Sequence, residues 1–403
     1  MKFLHTADLH LGRFLDGRPR WDEQEAVLTE IVGLAAAHQA DIVLLAGDIF
    51  DGFIPPARAE RLFYAFVEQL AAQGQAVVAI AGNHDQPQRL AAAAPLAAHR
   101  NIHLLGRGEG ECLSLSCADG MTARVAALPY VSEARAQELF SHSLAREEEQ
   151  ALGYRDCLQR RLAALSTDFG PDTANLVLAH LFVNGGLSSD SERPLAAQVG
   201  GSFGVDAGVF PPGTDYVALG HLHRPQSLGQ SQPLCRYAGS PLAYSFSEAD
   251  QVKSVSLGQI SREGKGKRLE LEVVPLRAGR SLTRWHCSSY GEALARCQDP
   301  ALAELWVQLR VELDQPLSGE QLDQLQSAHP RLVGVDPVYP QLESGQEQAA
   351  TLAELNILQR FAAFSRQSEG VEPDEELLAA FAALLNEDDT EAELKAGEGD
   401  ESR

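Results

Sequence analysis

The chain opens with the segment MKFLHTADLHLG at residues 1–12. Residues 2–6 are typical of a buried strand, and two side chains of metal-ligand type, Asp8 and His10, follow them closely. The same arrangement recurs after residues 42–46, 77–81, 176–179 and 217–219. The polar side chains that follow those four runs are Asp48, Asn83, His84, His180, His221 and His223.

Short apolar runs that end at a glycine or a polar residue predict an α/β fold with buried strands. In open α/β sheets, ligands bind beyond the carboxyl ends of the strands. We therefore expect the five strand ends to meet at one metal site.

The types of ligand narrow the choice of metal. Carboxylates, imidazoles and one amide, without a thiolate, suit Mn, Fe or Zn better than a structural zinc site. They are too many for one ion, but two ions about 3.5–4 Å apart, bridged by one carboxylate, would use them all. Phosphatases and nucleases use such pairs for in-line displacement at phosphorus.

The motifs D-x-H, G-D-x-x-D, G-N-H-D, a lone strand-end histidine and G-H-x-H occur here in that order. Together they resemble the calcineurin-like metallophosphoesterases, although each one alone occurs by chance. The opening segment is similar to a narrower group, the SbcD family, the Mre-type nuclease subunits of bacterial SbcCD complexes. This resemblance implies an α/β fold, a β-sandwich flanked by helices, with a small α+β capping domain and a C-terminal helical hairpin.

The resemblance also implies a role for each residue. His84 would be the catalytic histidine, held near the leaving oxygen without coordinating a metal, and Asp51 the carboxylate that orients His84. The implied metal ligands are Asp8, His10 and His223 for the first ion, Asn83, His180 and His221 for the second, and Asp48 as the bridge.

Structural explanations exist for the same residues. A lone histidine such as His180 is usually a core or surface residue, Asp48 after a glycine fits a turn, and Asp51 fits a helix cap. The ordered context favours the metal-site interpretation for His180 and Asp48. It leaves both roles open for Asp51, and Asp85 fits a brace for its own loop.

For the activity, the resemblance implies a DNA nuclease that uses two Mn²⁺ ions, or Mg²⁺ or another divalent ion. It would be a 3′→5′ exonuclease on double strands and an endonuclease on single strands and hairpins, in DNA end processing, replication, repair and recombination. Its implied partners are an SMC-like ATPase of the SbcC type, DNA ends and a second copy of the chain within a heterotetramer. The implied location is the cytoplasm, at the nucleoid when DNA is bound.

Two other classes of function stay open. A phosphatase or cyclic-nucleotide phosphodiesterase has the same metal core, but it would not need the SbcD-like opening or the C-terminal additions. A non-catalytic scaffold on this fold would lack ligands, whereas this chain carries the full set with His84.

The formal net charge of −23 has the wrong sign for a protein that binds DNA by neutralising phosphates. Part of it is local, because residues 371–403 carry 12 acidic and 2 basic side chains. Basic residues near the motifs are expected to touch the DNA backbone, with ordinary solvated surface as the alternative. They are Arg13, Arg18, Arg20, Arg58, Arg61, Arg89 and Arg224.

Cysteine usage and hydropathy predict an intracellular protein that does not enter a membrane. The 6 cysteines are scattered without metal-type spacing, and free thiols are favoured over a Cys112–Cys117 pair. We find no secretory signal and no apolar run near the roughly 20 residues of a membrane span.

The domain prediction divides the chain into a nuclease domain (1–270), a capping domain (271–340), a polar linker (341–350), a helical hairpin (351–386) and an acidic tail (387–403). The hairpin contains two amphipathic helices, which either pack on their own domain or bind the ATPase as helices in a groove. The residues expected to contact that partner are Leu355, Leu358, Phe361, Leu377, Phe381 and Leu384.

Overall fold

The computed structural model describes residues 1–106, 110–131, 147–192, 204–229, 233–264, 266–339 and residue 377. The predicted linker, the acidic tail and the hairpin apart from Leu377 lie outside the described residues. Leu377 itself is helical and exposed.

The strands, in chain order, are Lys2–Thr6 (β1), Phe14–Leu15 (β2), Arg18–Pro19 (β3), Ile42–Leu45 (β4), Ala76–Ile80 (β5), Ile102–Leu105 (β6), Glu111–Ser116 (β7), Thr122–Leu128 (β8), Thr173–His180 (β9), Tyr216–Gly220 (β10), Gln226–Ser227 (β11), Leu234–Tyr237 (β12), Ser254–Glu263 (β13), Gly266–Pro275 (β14), Leu282–Cys287 (β15), Trp306–Glu312 (β16) and Leu332–Val338 (β17). The α-helices are Trp21–His38 (α1), Ala57–Ala72 (α2), Pro87–Ala91 (α3), Ala94–Ala97 (α4), Glu147–Leu165 (α5), Tyr290–Cys297 (α6) and Gly319–Ala328 (α7).

Two six-stranded sheets form a β-sandwich, with strand orders β14-β13-β1-β4-β5-β6 and β11-β12-β10-β9-β8-β7. The core between them contains Phe3 and Leu44 from the first sheet and Leu176 and Ala218 from the second. Helices α1 and α2 cover the outer face of the first sheet, and α5 covers that of the second. The predicted β-sandwich flanked by helices is confirmed.

The strands that carry the motifs run in parallel within each sheet. β1 pairs in parallel with β4, and β4 with β5, while β9 pairs in parallel with β10. Because parallel strands end on the same side, the loops after β1, β4 and β5 lie together, as do those after β9 and β10. The buried strands are almost uninterrupted apolar runs, as expected where both faces of a sheet are covered.

The small C-terminal domain has a βαβαβ order, and its first strand lies beyond the predicted start of the domain at residue 271. β14 pairs antiparallel with β13 in the first sheet of the sandwich, so the boundary predicted at residue 270 moves beyond Pro275. The first strand of the small domain is β15, and β15, β16 and β17 form a parallel sheet. Its core contains Trp285, Val307, Leu309 and Leu325.

A buried carboxylate joins the small domain to the sandwich. Glu23 of α1 accepts hydrogen bonds from Trp306 Nε1 at 2.8 Å and from the amide of Arg280 at 2.9 Å. Arg20 Nε donates to the same carboxylate at 3.0 Å.

The predicted thiol state is confirmed, since all 6 cysteines are free.

Candidate metal centre

Sharp turns carry the predicted ligands at the ends of β1, β4 and β10. Asp8, His10, Asp48 and His221 have positive φ angles of 53°, 42°, 49° and 107°. Non-glycine residues in such conformations cost about 1–3 kcal/mol each, and the strain persists where surrounding contacts over-determine it. Here the amide of His10 donates to the carbonyl of Asp48 at 3.0 Å, which ties the first two turns together.

One oxygen of Asp48 faces a pair of imidazoles. Its Oδ2 lies 3.5 Å from His10 Nε2, and His10 Nε2 lies 3.0 Å from His223 Nε2. All three side chains are buried. We call this group, His10, His223 and Asp48 Oδ2, the first half-site.

The other oxygen of Asp48 faces a second group. Asn83 Oδ1 lies 2.9 Å from His180 Nε2 and 3.1 Å from His221 Nδ1. Asp48 Oδ1 lies 3.6 Å from His180 Nε2. We call this group, Asn83, His180, His221 and Asp48 Oδ1, the second half-site. The Nδ1 of His180 faces the carbonyl of Ala46 at 2.8 Å, and a hydrogen there would leave Nε2 free as a ligand.

Asp8 supplies the clearest sign that a cation belongs here. Its Oδ1 accepts a hydrogen bond from the amide of His221 at 2.8 Å, whereas its buried Oδ2 has no hydrogen-bond partner among the described residues. Burial and the neighbouring charge of Asp48 raise the pKa of Asp8 well above its usual range. A divalent ion would satisfy the orphaned oxygen and allow both carboxylates to ionise.

The donor set therefore fits two divalent ions that share Asp48. Potential ligand atoms of His10, Asp48 and His84 lie within 4.8 Å of one another, as do those of Asp8, Asp48 and His180. Oxygen and imidazole donors without a thiolate suit Mn, Fe, Zn or Mg. The assignment of Asp8 to the first ion stays a prediction, because the carboxylate of Asp8 contacts His180 and His221 of the second half-site.

Comparison with known proteins agrees with this geometry. A family model for calcineurin-like phosphoesterases matches residues 1–225. The SbcD subunit of nuclease SbcCD from Bacillus subtilis is 37% identical over 391 residues, which cover 96% of this chain and 98% of that protein. The chain belongs to the SbcD family of calcineurin-like phosphoesterases.

A second member of the SbcD family, from the nuclease SbcCD of Rhodobacter capsulatus, is 36% identical over 273 residues, 64% of this chain and 66% of that protein. A dimetal phosphatase from Danio rerio superposes with a TM-score of 0.40 at 15% identity, covering 68% of this chain and 99% of that one. That similarity is too low to bear on function.

Membership of the SbcD family makes the chain a metal-dependent phosphodiesterase. No helix in the described ranges is long and apolar enough to cross a membrane.

His84 lies beside the first half-site. Its ring centroid is 4.6 Å from that of His10, and its amide donates to Asp48 Oδ1 at 2.9 Å. The ring Nδ1 lies 2.9 Å from the backbone carbonyl of Asp51. A carbonyl only accepts, so Nδ1 carries the hydrogen of this bond and Nε2 is available for chemistry.

The predicted role of Asp51 needs a correction. The residue does orient His84, but through its backbone carbonyl, while its carboxylate lies 3.4 Å from His10 Nδ1 and 3.5 Å from Arg13 Nη1. Sequence indicates which residue is three places after Asp48, but not which of its atoms turns toward His84.

Asp85 acts as the brace that the sequence left open. Its carboxylate accepts hydrogen bonds from the amides of Ile49, Phe50 and Gly82 at 3.0, 2.9 and 2.8 Å. It thereby joins the loops after β4 and β5, which carry Asp48 and Asn83. Burial, together with the charge of Asp48, raises the pKa of Asp85 to about 7.

The predicted DNA-contacting arginines fall into different environments. Arg20 is only 1% exposed and its guanidinium is bound to Glu23 and the Ala243 carbonyl, so its predicted DNA contact is wrong. Arg13 is largely buried and donates to the Ser191 carbonyl at 2.7 Å. The arginines with exposed side chains are Arg18, Arg58, Arg61, Arg89 and Arg224, of which Arg89 pairs with Glu60 at 2.8 Å.

A group of buried polar residues that the sequence did not predict surrounds His223. They are Ser191, Glu192, Glu248 and Lys253, which are all buried. No motif spacing links them to the G-H-x-H segment, since they come from loops on either side of it. The burial of two carboxylates and a lysine is the structural signal that marks them.

Proposed function

We propose that this chain is a Mn²⁺-dependent DNA nuclease that processes DNA ends together with an SMC-like ATPase. The observation that carries the proposal is the division of Asp48 between two groups of ligands, with His84 beside one of them. Full-length similarity to SbcD nuclease subunits supports the choice of DNA over a small phosphate ester.

Two divalent ions, when bound, would supply an activated water and neutralise charge at the phosphorus. The residues of the chain provide the rest. Asp48 keeps the two half-sites at a fixed separation, and the Asp85 brace keeps the loops after β4 and β5 in register. Because these groups are already placed, little reorganisation is needed during the reaction.

His84 is the proposed general acid. The Nδ1–H of His84 donates to the carbonyl of Asp51, which orients the ring, and the doubly protonated ring gives the proton on Nε2 to the departing 3′ oxygen. General acid catalysis of this kind contributes roughly 10²–10⁴-fold. Because His84 acts in proton transfer, its loss should reduce turnover much more than metal binding.

The test is degradation of an end-labelled linear duplex by the purified chain in Mn²⁺. His84→Gln should lose at least about 100-fold in rate. His99→Gln, the same change at an exposed histidine away from the site, is the matched control and should cleave like the wild type. Wild-type cleavage of small phosphate esters but not of DNA, alone or with the ATPase, would refute the nuclease proposal.

The ATPase is proposed to bind residues 351–386, whose apolar stripes suit a helix-in-groove contact. Ala362 is on the apolar stripe predicted for the first helix and Phe381 on that of the second, so Ala362→Glu with Phe381→Glu should abolish ATPase binding and leave metal-dependent cleavage intact. Loss of both properties would favour internal packing of the hairpin instead. The same proposal includes 3′→5′ polarity and hairpin cleavage. It also includes a homodimer within a heterotetramer and a cytoplasmic, nucleoid-associated location.

Arg18, Arg58 and Arg61 remain proposed DNA contacts, since their side chains are exposed. Phosphate contacts of this kind contribute to binding of all sequences alike, and their loss reduces the salt dependence of binding.

A further inference from the structure

Side chains outside the motifs hold the ligand His223 at its backbone and at its ring. The amide of His223 donates to Glu192 Oε1 at 2.6 Å, and its carbonyl accepts from Lys253 Nζ at 2.8 Å. The ring Nδ1 lies 2.7 Å from Ser191 Oγ and 3.7 Å from Glu248 Oε1. These contacts fix both the position and the orientation of one imidazole of the first half-site.

Ser191 and Glu192 belong to a segment, residues 187–192, that is hydrogen-bonded to several loops. The amide of Leu187 donates to Gln226 Oε1, and Gln226 Nε2 donates to the Leu187 carbonyl, both at 2.8 Å. Glu192 Oε2 accepts from the amide of Ser189 at 2.6 Å. The carbonyl of Ser191 accepts from Arg13, whose own loop also carries His10. The segment therefore bridges the two histidine-bearing loops of the first half-site.

We propose that Ser191 and Glu192 are positioning residues that set the tautomer and orientation of His223 and so hold the first half-site in shape. A neutral imidazole that ligates through Nε2 must carry its hydrogen on Nδ1, and Ser191 Oγ is the acceptor at hydrogen-bond distance. Glu192 holds the backbone of the same residue. This inference rests on the dimetal site of the proposed function.

The second half-site is held in a different way. The Nδ1 of His180 faces the backbone carbonyl of Ala46, directly after β4, and the amide of His221 donates to Asp8. These partners belong to the sandwich itself. Disturbing Ser191 or Glu192 should therefore weaken the first half-site and spare the second.

Glu192→Gln tests this with little change in shape. The carboxylate accepts from two backbone amides, whereas an amide side chain has only one acceptor oxygen, so one N–H must face an NH₂ group. Outer partners of this kind usually account for 10–100-fold in metal affinity. We expect about 10–100-fold weaker binding of one Mn²⁺ and unchanged binding of the other.

The measurement is a calorimetric Mn²⁺ titration of the metal-free full chain, with the electron paramagnetic resonance signal of the coupled Mn²⁺ pair as a second readout. The variant should lose the coupled signal at Mn²⁺ concentrations that fill both wild-type sites. Glu30→Gln is the matched control, because Glu30 also accepts from two backbone amides, those of Arg277 and Ala278, and belongs to neither half-site. It should titrate like the wild type.

Ser191→Ala is the second variant, and it decides the matter if Glu192→Gln does not fold. Two Mn²⁺ bound with wild-type affinity in the folded variants would overturn the positioning role and leave the dimetal site standing. A wild-type chain that binds fewer than two Mn²⁺ would overturn the dimetal site, and this inference with it.

Discussion

Arg20→Met should destabilise the protein, because the buried Arg20 side chain compensates a buried carboxylate. Arg20 binds Glu23 through Nε and Nη2, and both residues are 1% exposed. Methionine keeps much of the side-chain volume and removes the charge. Glu23 then retains the bond from Trp306 and the nearby guanidinium of Arg280, whose Nη1 is 3.4 Å away.

The size of the effect follows from the burial. Removing one partner of a buried ion pair costs about 3–5 kcal/mol. Because Arg280 still compensates part of the charge, we expect the lower end, about 3 kcal/mol. For a domain of this size that corresponds to a fall in melting temperature of about 6–12 °C.

Differential scanning calorimetry and DNA binding, measured together, separate a structural role from a DNA contact. Arg18→Met, the same change at an exposed position, is the control. Its free energy of unfolding should differ from that of the wild type by no more than about 0.5 kcal/mol. If Arg20→Met melted like the wild type but lost DNA affinity, the burial argument would be refuted.

Acid should reduce the difference between the wild type and Arg20→Met. Burial alone would raise the pKa of Glu23, but hydrogen bonds and charge from Arg20, with Arg280 and Trp306, hold its pKa below the ordinary value. In the wild type, this carboxylate adds stability above its unfolded pKa of about 4.3, and the gain is lost as pH falls through the lowered folded pKa. In the variant, protonation of Glu23 removes an uncompensated charge. The difference in unfolding free energy between the wild type and Arg20→Met should therefore narrow below about pH 5.

Gly82→Ala should abolish tight Mn²⁺ binding, since a Cβ there would lie 2.1 Å from Asp48 Oδ1 and 2.3 Å from its amide nitrogen. The control is Gly33→Ala, in α1 with open space around it, which should stabilise the chain by about 1 kcal/mol without changing the Mn²⁺ titration. If Gly82→Ala bound Mn²⁺ like the wild type, the predicted clash with Asp48 would be contradicted. Cys117 should resist alkylation at pH 8 in the folded protein, because burial raises the pKa of its thiol to about 12. Mass spectrometry checks this, and labelling as fast as in the unfolded chain would contradict it.

The sequence itself determined much of the sandwich and its ligands. The apolar runs at residues 2–6 and 42–46 become β1 and β4, and Asp8 and Asp48 follow them in the turns. Such predictions succeed because strand periodicity, strand termination and ligand chemistry are properties of neighbouring residues. The parallel pairing that brings the ends together then follows from the α/β pattern.

Only the tertiary structure decided the roles that depend on distant contacts. Arg20 looked like a surface base in sequence, yet Glu23 and the small domain bury it, and Trp306 reaches Glu23 from 283 residues away. Asp51 binds His84 through its carbonyl, and β14 joins the sandwich through pairing with β13. Glu192 is bound to His223 across 31 residues, with no spacing rule to mark it. Burial, charge compensation and the choice between a side-chain and a backbone oxygen are set by atoms that meet only after the chain has folded.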